Sequence, residues 1–206
     1  MFFFNLLETL IIFLIFLFSV ILHEISHGYL AYKCGDPTAK ESGRLTLNPI
    51  SHIDPFGSII LPLILYISSL WGGPKIIFGW AKPVPYNPIY FKNFKKDIIR
   101  VALIGPFTNL FLAFIFSLIY KLNIFQPAGQ DLISSIVYIN VLLGIFNILP
   151  IPPLDGSKIL VLLLPRGKEH WLFYLETYGI FLIFFVILFL WPIIKFLVIL
   201  VYNILI

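Results

Sequence analysis

Charged residues are scarce in this sequence. Asp, Glu, Lys and Arg make up 12% of the 206 residues, whereas 60% of the residues are hydrophobic, and the mean hydropathy is +0.99. Soluble domains carry roughly 25% charged residues, so the composition excludes an ordinary soluble domain. It indicates a membrane protein in contact with the lipid bilayer.

Cysteine, repeats and leader features are equally rare. Cys34 is the only cysteine, which excludes an internal disulfide, and a lone thiol of this kind is interpreted as inert. The absence of 20–50-residue repeats and of Ser/Gly-rich linkers predicts a single domain over residues 1–206. Because the N-terminus lacks a basic region and a small-residue cleavage site, we expect the first apolar run to remain in the working protein.

The sequence contains several long apolar runs. A helix needs about 20 apolar residues to cross a bilayer, and five runs are of that order: Asn5–Tyr32, Phe56–Trp71, Ile98–Tyr120, Leu132–Leu149 and Trp171–Ile206. The last run is long enough for one span and part or all of a second. The predicted fold is an all-α polytopic membrane protein with about 5–6 transmembrane or membrane-embedded helices.

Basic residues fall in three clusters between the apolar runs. They are absent before the first run and occur at Lys33, Lys40 and Arg44, then at Lys75, Lys82, Lys92, Lys95, Lys96 and Arg100, then at Lys158, Arg166 and Lys168. Basic loops of polytopic proteins face the cytoplasm, so the net charge of +4 does not indicate a nucleic-acid partner. A single crossing by Phe56–Trp71 would separate the first two clusters. That segment contains Pro62 and is predicted to be a re-entrant or hairpin element, with a failure of the charge rule as the alternative.

Two segments after the first run contain too many turn residues for helices. Gly43–Asn48, "GRLTLN", alternates in the manner of a short strand, and Phe78–Tyr86 reads "FGWAKPVPY". At membrane depth, non-helical backbone survives only where it is buried in protein or lines a cavity. A short β-like or re-entrant element is therefore expected after the first helix.

His23, Glu24 and His27 interrupt the first apolar run. On a helix, residues four apart lie on one face, so both histidines can reach one metal ion while Glu24 stands about 100° round the helix. An ionisable residue near the bilayer centre costs about 2.5–3.5 kcal/mol on insertion scales, which favours a shared function over chance. The spacing predicts one zinc ion per chain, bound by both histidines, with Glu24 as general base.

A catalytic zinc site has three protein ligands and one open position, so a third ligand is needed. Asp155 follows prolines that end an apolar run, and Asp155–Gly156 has the sequence of a cap that begins a short helix. The predicted topology places it at the same cytoplasmic depth as His23–His27. Asp155 is the predicted third ligand, a purely capping role is its alternative, and Glu41 and Asp54 are the next candidates.

Three motifs carry a resemblance to a known family. "HEISH" at His23–His27, "GPFTN" at Gly105–Asn109 and "NILPIPPLDG" at Asn147–Gly156 resemble, in this order, the site-2 protease family of intramembrane zinc metalloproteases. The stretches "GDPTAKESGRLTLNPISHIDPFG" and "FGWAKPVPYNP" are similar to the compact branch of that family, which lacks PDZ and CBS domains.

The resemblance implies roles for individual residues. It makes His23, His27 and Asp155 the zinc ligands and Glu24 the catalytic base, and it implies cleavage of peptide bonds within or near transmembrane helices of membrane-protein substrates. Zinc lowers the pKa of bound water to near 7 and polarises a carbonyl, and Glu24 would accept the water's proton. Asn147 is implied to face the site and to hydrogen-bond substrate or the oxyanion, with interhelical contact as the alternative.

Further expectations concern the remaining polar residues. The "GPFTN" motif is interpreted as architectural, because Gly105 permits close helix approach and Asn109 can bond a neighbour. A helical substrate must unwind, and "GRLTLN" or "FGWAKPVPY" could supply an edge for it. His52 and His170 are interpreted as structural or solvated. A metal-ion permease is the alternative function, although such a protein should show further ligands along a path.

Overall fold

The computed structural model describes residues 6–72, 79–163 and 179–206. Four helices in these ranges are long and apolar enough to cross a membrane, namely Leu10–Lys33, Phe94–Lys121, Pro127–Ile148 and Leu188–Leu205. Pro55–Leu70 is a fifth apolar helix and is shorter than these four. The prediction of an all-α polytopic membrane protein is confirmed.

The α-helices are numbered in chain order. They are α1 Leu6–Lys33, α2 Thr38–Glu41, α3 Leu61–Leu70, α4 Phe94–Lys121, α5 Pro127–Ile148, α6 Gly179–Phe185 and α7 Trp191–Leu205. Short 3₁₀ helices lie at Pro49–His52, Pro88–Tyr90 and Asp155–Leu162, and π-helical turns at Pro55–Ile60 and Val186–Leu190. The predicted run Trp171–Ile206 is one continuous helical stretch from Gly179 to Leu205, and its first eight residues lie outside the described part.

The end of α1 shows how the sequence sets a helix boundary. Gly35 has a φ of 110°, a left-handed conformation that glycine adopts without strain. The amide of Gly35 donates to the Tyr32 carbonyl at 3.1 Å, and the amide of Asp36 donates to the Ala31 carbonyl at 3.0 Å. This is the Schellman arrangement, which satisfies the last carbonyls of the helix and turns the chain sharply.

Helices α1 and α4 pack antiparallel. The ring of His27 bonds the Val101 carbonyl near the C-terminal end of α1. Two turns earlier in α1 the Ser19 carbonyl accepts from Asn109, which lies two turns later in α4. The ends themselves meet, since the Lys92 amide donates to the Cys34 carbonyl at 3.3 Å. The chain between α1 and α4 therefore makes no single net crossing, which supports the re-entrant prediction for Phe56–Trp71.

Helix α5 packs against α4 and α7 through small and β-branched side chains. Ala113, Val137, Val141, Ile194 and Val198 form one buried cluster with Val186. A β carbon at Gly144 would lie 2.7 Å from Leu110 Cγ and 3.2 Å from the Pro106 carbonyl oxygen, so α5 lies directly on the part of α4 that carries the "GPFTN" motif. The C-terminal end of α5 thus reaches the same end of the bundle as the C-terminal end of α1.

The strand predicted at Gly43–Asn48 is wrong. Gly43 has a φ of 66°, the Asn48 side chain accepts from the Ile50 amide at 3.1 Å, and the Thr46 carbonyl accepts from His52 Nε2 at 2.8 Å. These contacts turn the chain on itself, and the structure assigns no strand within its described ranges. The alternation of apolar residues was real, but no neighbouring strand pairs with it.

The second non-helical segment, Gly79–Asn87, is tied to the bundle at alternate residues. The Trp80 amide donates to the Gly57 carbonyl at 3.2 Å, and the Lys82 amide to the His52 carbonyl at 2.8 Å. The Val84 amide then donates to Glu24 at 2.9 Å. The segment crosses the face of α1 that carries the predicted site; residue 78, its predicted first residue, lies outside the described part.

Candidate metal centre

The "HEISH" motif lies on the last third of α1, and its two histidines share one face. His23 Nε2 and His27 Nε2 are 3.0 Å apart. Asp155 Oδ2 lies 2.9 Å from the first and 3.2 Å from the second. Residues separated by 128 positions in sequence are thereby brought into one cluster of three donors.

The outer nitrogens of both rings have their own partners. His23 Nδ1 lies 2.5 Å from Asn109 Oδ1, and His27 Nδ1 lies 2.5 Å from the Val101 carbonyl oxygen. Both partners are oxygens that only accept, so both rings donate from Nδ1, which leaves lone pairs on both Nε2 atoms. A metal-binding histidine needs this tautomer, held by an acceptor on its far side.

The inner face of the cluster therefore contains only acceptors. Two Nε2 lone pairs and a carboxylate oxygen face one another at 2.9–3.2 Å, an arrangement that is repulsive without a cation. Tetrahedral zinc ligands at about 2.0–2.1 Å from the metal lie about 3.3 Å from each other. The donor types and their spacing fit zinc with three protein ligands.

Gly105 allows the rings to approach α4. A β carbon there would lie 2.4 Å from His27 Nε2 and 2.5 Å from His23 Nε2, closer than carbon and nitrogen can approach. Both imidazoles thus lie directly on the backbone of α4. The glycine predicted to permit close helix approach does so at the metal site itself.

Asp155 reaches the cluster because the chain reverses after α5. It is the first residue of the 3₁₀ helix Asp155–Leu162, whose N-cap is Leu154, so the prediction that Asp155 caps the helix is off by one residue. A β carbon at Gly156 would lie 1.9 Å from the Ile148 carbonyl oxygen, because the short helix packs on the end of α5.

Glu24 lies beside the cluster and is not one of its three donors. Its Oε2 accepts a hydrogen bond from the Val84 amide at 2.9 Å, and Val84 itself packs against Gly28 one turn later. Nearby, burial and the carboxylates of Asp155 and Glu24 raise the pKa of Tyr86. The segment Gly79–Asn87 therefore fixes one carboxylate oxygen of Glu24, and the other has no hydrogen-bond partner among the described residues.

Other predicted residues are not part of this cluster. The Asn147 amide donates to the Leu143 carbonyl of its own helix at 3.1 Å, its one side-chain hydrogen bond within the described ranges. His52 is fully buried and bonds Thr46, in keeping with a structural role. Asp54 accepts from the Gly57 amide at 2.6 Å as the cap of the π-helical turn, Glu41 is exposed, and His170 lies outside the described residues.

Sequence reasoning missed two side chains behind the site. Asn140 and Ser19 are 1% and 5% exposed. Asn140 Oδ1 accepts from Asn109, and the Ser19 hydroxyl accepts from Asn140, so both connect through Asn109 to His23. Asn140 had a detectable signal, since it is an amide inside an apolar run about two helical turns before Asn147. The Val84 amide had none, because a backbone group carries no sequence signature.

Comparison with known proteins identifies the family. The chain matches the model of "Peptidase family M50" over residues 11–191. It is 42% identical over 193 residues to "Putative zinc metalloprotease YwhC" of Bacillus subtilis (strain 168), covering 88% of this chain and 82% of that protein. "Putative zinc metalloprotease MJ0611" of Methanocaldococcus jannaschii is 30% identical over 160 residues, covering 74% and 72%.

A third relative is also named as a zinc metalloprotease. "Putative zinc metalloprotease Rip2" of Mycolicibacterium smegmatis is 32% identical over 143 residues, which cover 68% of this chain and 52% of that protein. No solved structure matches the chain significantly. The chain therefore belongs to Peptidase family M50, the site-2 protease family, and is a multi-pass membrane zinc metalloprotease.

Proposed function

We propose that this protein is an intramembrane endopeptidase that cleaves peptide bonds within or near transmembrane helices, with His23, His27 and Asp155 holding one zinc ion. The observation that carries the proposal is the acceptor-only cluster at the centre of the helix bundle, with Nε2 and Oδ2 atoms 2.9–3.2 Å apart. A bound zinc ion supplies Lewis acidity, which polarises the scissile carbonyl and acidifies water.

Glu24 is the proposed general base. The Val84 amide holds one carboxylate oxygen at 2.9 Å, so the other oxygen can take a proton from attacking water and deliver it to the departing amine. Because Glu24 is the residue directly after His23, it stands beside the donors without joining them. Proton transfer and metal binding are thereby divided between neighbouring residues.

Gly79–Asn87 is the proposed edge for an unwound substrate. Its amides at Trp80, Lys82 and Val84 all donate toward the protein, as in an extended strand with one edge occupied. Pro83 and Pro85 have no amide hydrogen, so the other edge offers mainly carbonyl acceptors. A substrate strand would pair there by donating its own amides.

Asn147 is the proposed contact to substrate or to the developing oxyanion. One hydrogen of its amide goes to the Leu143 carbonyl at 3.1 Å, which leaves the second hydrogen to donate. The side chain is partly exposed on the last turn of α5, just before the reversal that carries Asp155. This role of Asn147 requires the metal site and would be disproved together with it.

The alternative of a metal-ion permease has no observation in its favour. A transport path needs successive ligand sets, whereas the described residues contain one group of three possible metal ligands. The single domain over residues 1–206 remains a proposal, as does one zinc ion per chain.

Asp155→Ala tests the ligand set. Removing the third donor should lower the zinc content of the purified protein well below one ion per chain and abolish cleavage of a model transmembrane substrate in proteoliposomes, because two imidazoles alone hold zinc weakly. Zinc is measured by elemental analysis after dialysis against a weak chelator. Asp131→Ala, at the start of α5 and far from the cluster in sequence, is the control. Undiminished zinc in Asp155→Ala would assign the third ligand to another residue.

We further propose that the site lies toward the cytoplasmic side of the cell membrane, since the ends of α1 and α4 that flank it carry the basic clusters. In a Cys34→Ala background, Lys121→Cys should react with a membrane-impermeant maleimide on intact cells, whereas Lys40→Cys should react only after lysis. Both lysines are exposed and lie at opposite ends of the antiparallel α1–α4 pair. Labelling of Lys40→Cys but not of Lys121→Cys on intact cells would show that the topology is the reverse of the proposed one.

A further inference from the structure

A chain of buried polar side chains leads away from His23 into the bundle. Asn109 of α4 and Asn140 of α5 are 0% and 1% exposed, and Ser19 of α1 is 5% exposed. Asn109 Nδ2 lies 2.9 Å from Asn140 Oδ1, and Asn140 Nδ2 lies 2.9 Å from Ser19 Oγ. Three helices thus meet through hydrogen bonds at a place where neither water nor lipid can replace them.

Two backbone carbonyls fix which way both amides point. The Ile136 carbonyl oxygen lies 2.9 Å from one end of Asn140, and the Ser19 carbonyl oxygen lies 3.3 Å from one end of Asn109. A carbonyl oxygen only accepts, so the amide atom facing it must be the nitrogen in each case. The oxygen of Asn140 then faces the nitrogen of Asn109, as a donor and acceptor should.

The orientation of the Asn109 amide determines which of its atoms faces His23 Nδ1. With both hydrogens of Asn109 Nδ2 directed to Ser19 and Asn140, only Asn109 Oδ1 can face His23 Nδ1, at 2.5 Å. His23 must therefore donate from Nδ1, which places the lone pair on Nε2 beside Asp155 and His27. If Asn109 turned over, its nitrogen would require an acceptor at Nδ1 and a proton on Nε2, and that tautomer cannot bind a metal through Nε2, the atom that faces Asp155 and His27.

We propose that Asn140 and Ser19 are positioning residues that select the metal-binding tautomer of His23 by fixing the amide of Asn109. The inference rests on the proposed function only in taking His23 as a ligand; its readouts are the position of the ring's proton and the affinity for zinc, and neither needs a substrate. Neither residue touches the three donor atoms. Their effect is transmitted through one amide.

His27 provides an internal comparison. Its Nδ1 donates to the Val101 carbonyl, a backbone group that cannot turn over, so its tautomer needs no support from side chains. Disturbing Asn140 should therefore change the tautomer of His23 and leave that of His27 unchanged. A general loosening of the bundle would affect both rings.

The experiment compares Asn140→Leu with Ser134→Ala in the full-length protein. Ser134 also lies on α5, and its hydroxyl bonds Tyr202 of α7 at 2.6 Å, so its loss weakens helix packing without reaching Asn109. Nitrogen-15 NMR of the histidine rings at a zinc concentration that saturates the wild type reads which nitrogen of each ring carries a proton, and competition with a chromophoric chelator reads zinc affinity.

For Asn140→Leu at this zinc concentration we expect a substantial population of His23 to remain protonated on Nε2 and unbound, His27 to stay protonated on Nδ1, and zinc affinity to fall about tenfold. Ser134→Ala should leave both tautomers and the zinc affinity unchanged. Asn140→Asp keeps an acceptor for Asn109 and should keep the Nδ1-protonated form of His23, even where it lowers the melting temperature. If Asn140→Leu does not fold, Ser19→Ala, which removes only the hydroxyl, should give a smaller shift in the same direction.

An unchanged His23 tautomer in Asn140→Leu or Ser19→Ala overturns the inference. Its failure is separable from that of the proposed function. A protein that binds zinc but cuts no membrane substrate leaves the tautomer result intact, whereas normal tautomer selection with zinc binding that ignores Asp155 would disprove the metal site alone.

Discussion

Glu24→Gln is expected to reduce cleavage of a model transmembrane substrate by about 10²–10⁴-fold, the usual contribution of a general base, while zinc content stays at the wild-type level. Glutamine has nearly the same shape, and its Oε1 can still accept the Val84 amide bond that holds Glu24 at 2.9 Å. What it loses is the ability to take a proton. Because Glu24 is not one of the three clustered donors, metal binding should persist.

The measurement pairs proteolysis in proteoliposomes with elemental zinc analysis of the same preparation. Glu8→Gln is the matched control, since Glu8 lies on the same helix and is exposed near its start, so this variant should retain full activity. Two results would contradict the mechanism in different ways. Cleavage at the wild-type rate would remove Glu24 as the base, and loss of zinc would make it a ligand.

Gly105→Ala is expected to weaken zinc binding by about 10–100-fold, as for disrupted outer-shell contacts, and to lower activity in proportion. The added β carbon would lie 2.4 Å from His27 Nε2, 2.5 Å from His23 Nε2 and 2.7 Å from His23 Cε1. The rings or the helix must move, and the atoms displaced are the proposed donors. Alanine favours a helix over glycine by about 1 kcal/mol, so poorer helix formation cannot explain the loss.

Gly144→Ala provides the comparison for Gly105→Ala. Its β carbon would lie 2.7 Å from Leu110 Cγ and 2.8 Å from Leu110 Cδ2, so it also disturbs the packing of α4 but meets a flexible side chain away from the donors. We expect a lower melting temperature and normal zinc affinity. Equal zinc affinity in Gly105→Ala and the wild type would show that the rings do not need the close approach to α4.

Much of the metal site was predicted from the spacing of its residues and from the free-energy cost of placing ionisable groups in a membrane. Three ionisable residues inside an apolar run are too expensive to occur without a purpose, and their four-residue spacing dictates a common face. Asp155 was selected because prolines end the preceding helix at one membrane face, and the structure brings its carboxylate to 2.9 Å from His23. The lengths of the apolar runs also predicted the long helices, since a helix that crosses a bilayer needs about 20 apolar residues.

Other features depended on contacts between distant segments. "GRLTLN" alternates like a strand, but strand formation requires a partner, and the nearby chain turns back on itself through Asn48 and His52. An amide inside an apolar run marks Asn140 as unusual, but its partners on α1 and α4, and hence its link to the site, appear only in the tertiary structure. The Val84 amide that holds Glu24 is a backbone group, so no residue type could have marked it.

The sequence by itself determined that this protein lies in a membrane, that it carries "HEISH" on one helix face, and which family it resembles, because composition and local spacing are properties of the chain alone. Only the tertiary structure decided which atoms of those residues meet. The antiparallel packing of α1 and α4 places Asn109 and the Val101 carbonyl on the outer nitrogens of the two rings, and the reversal after α5 brings Asp155 to their inner side. Hydrogen-bond direction, and hence the availability of lone pairs for a metal, depends on three-dimensional neighbours that no local pattern specifies.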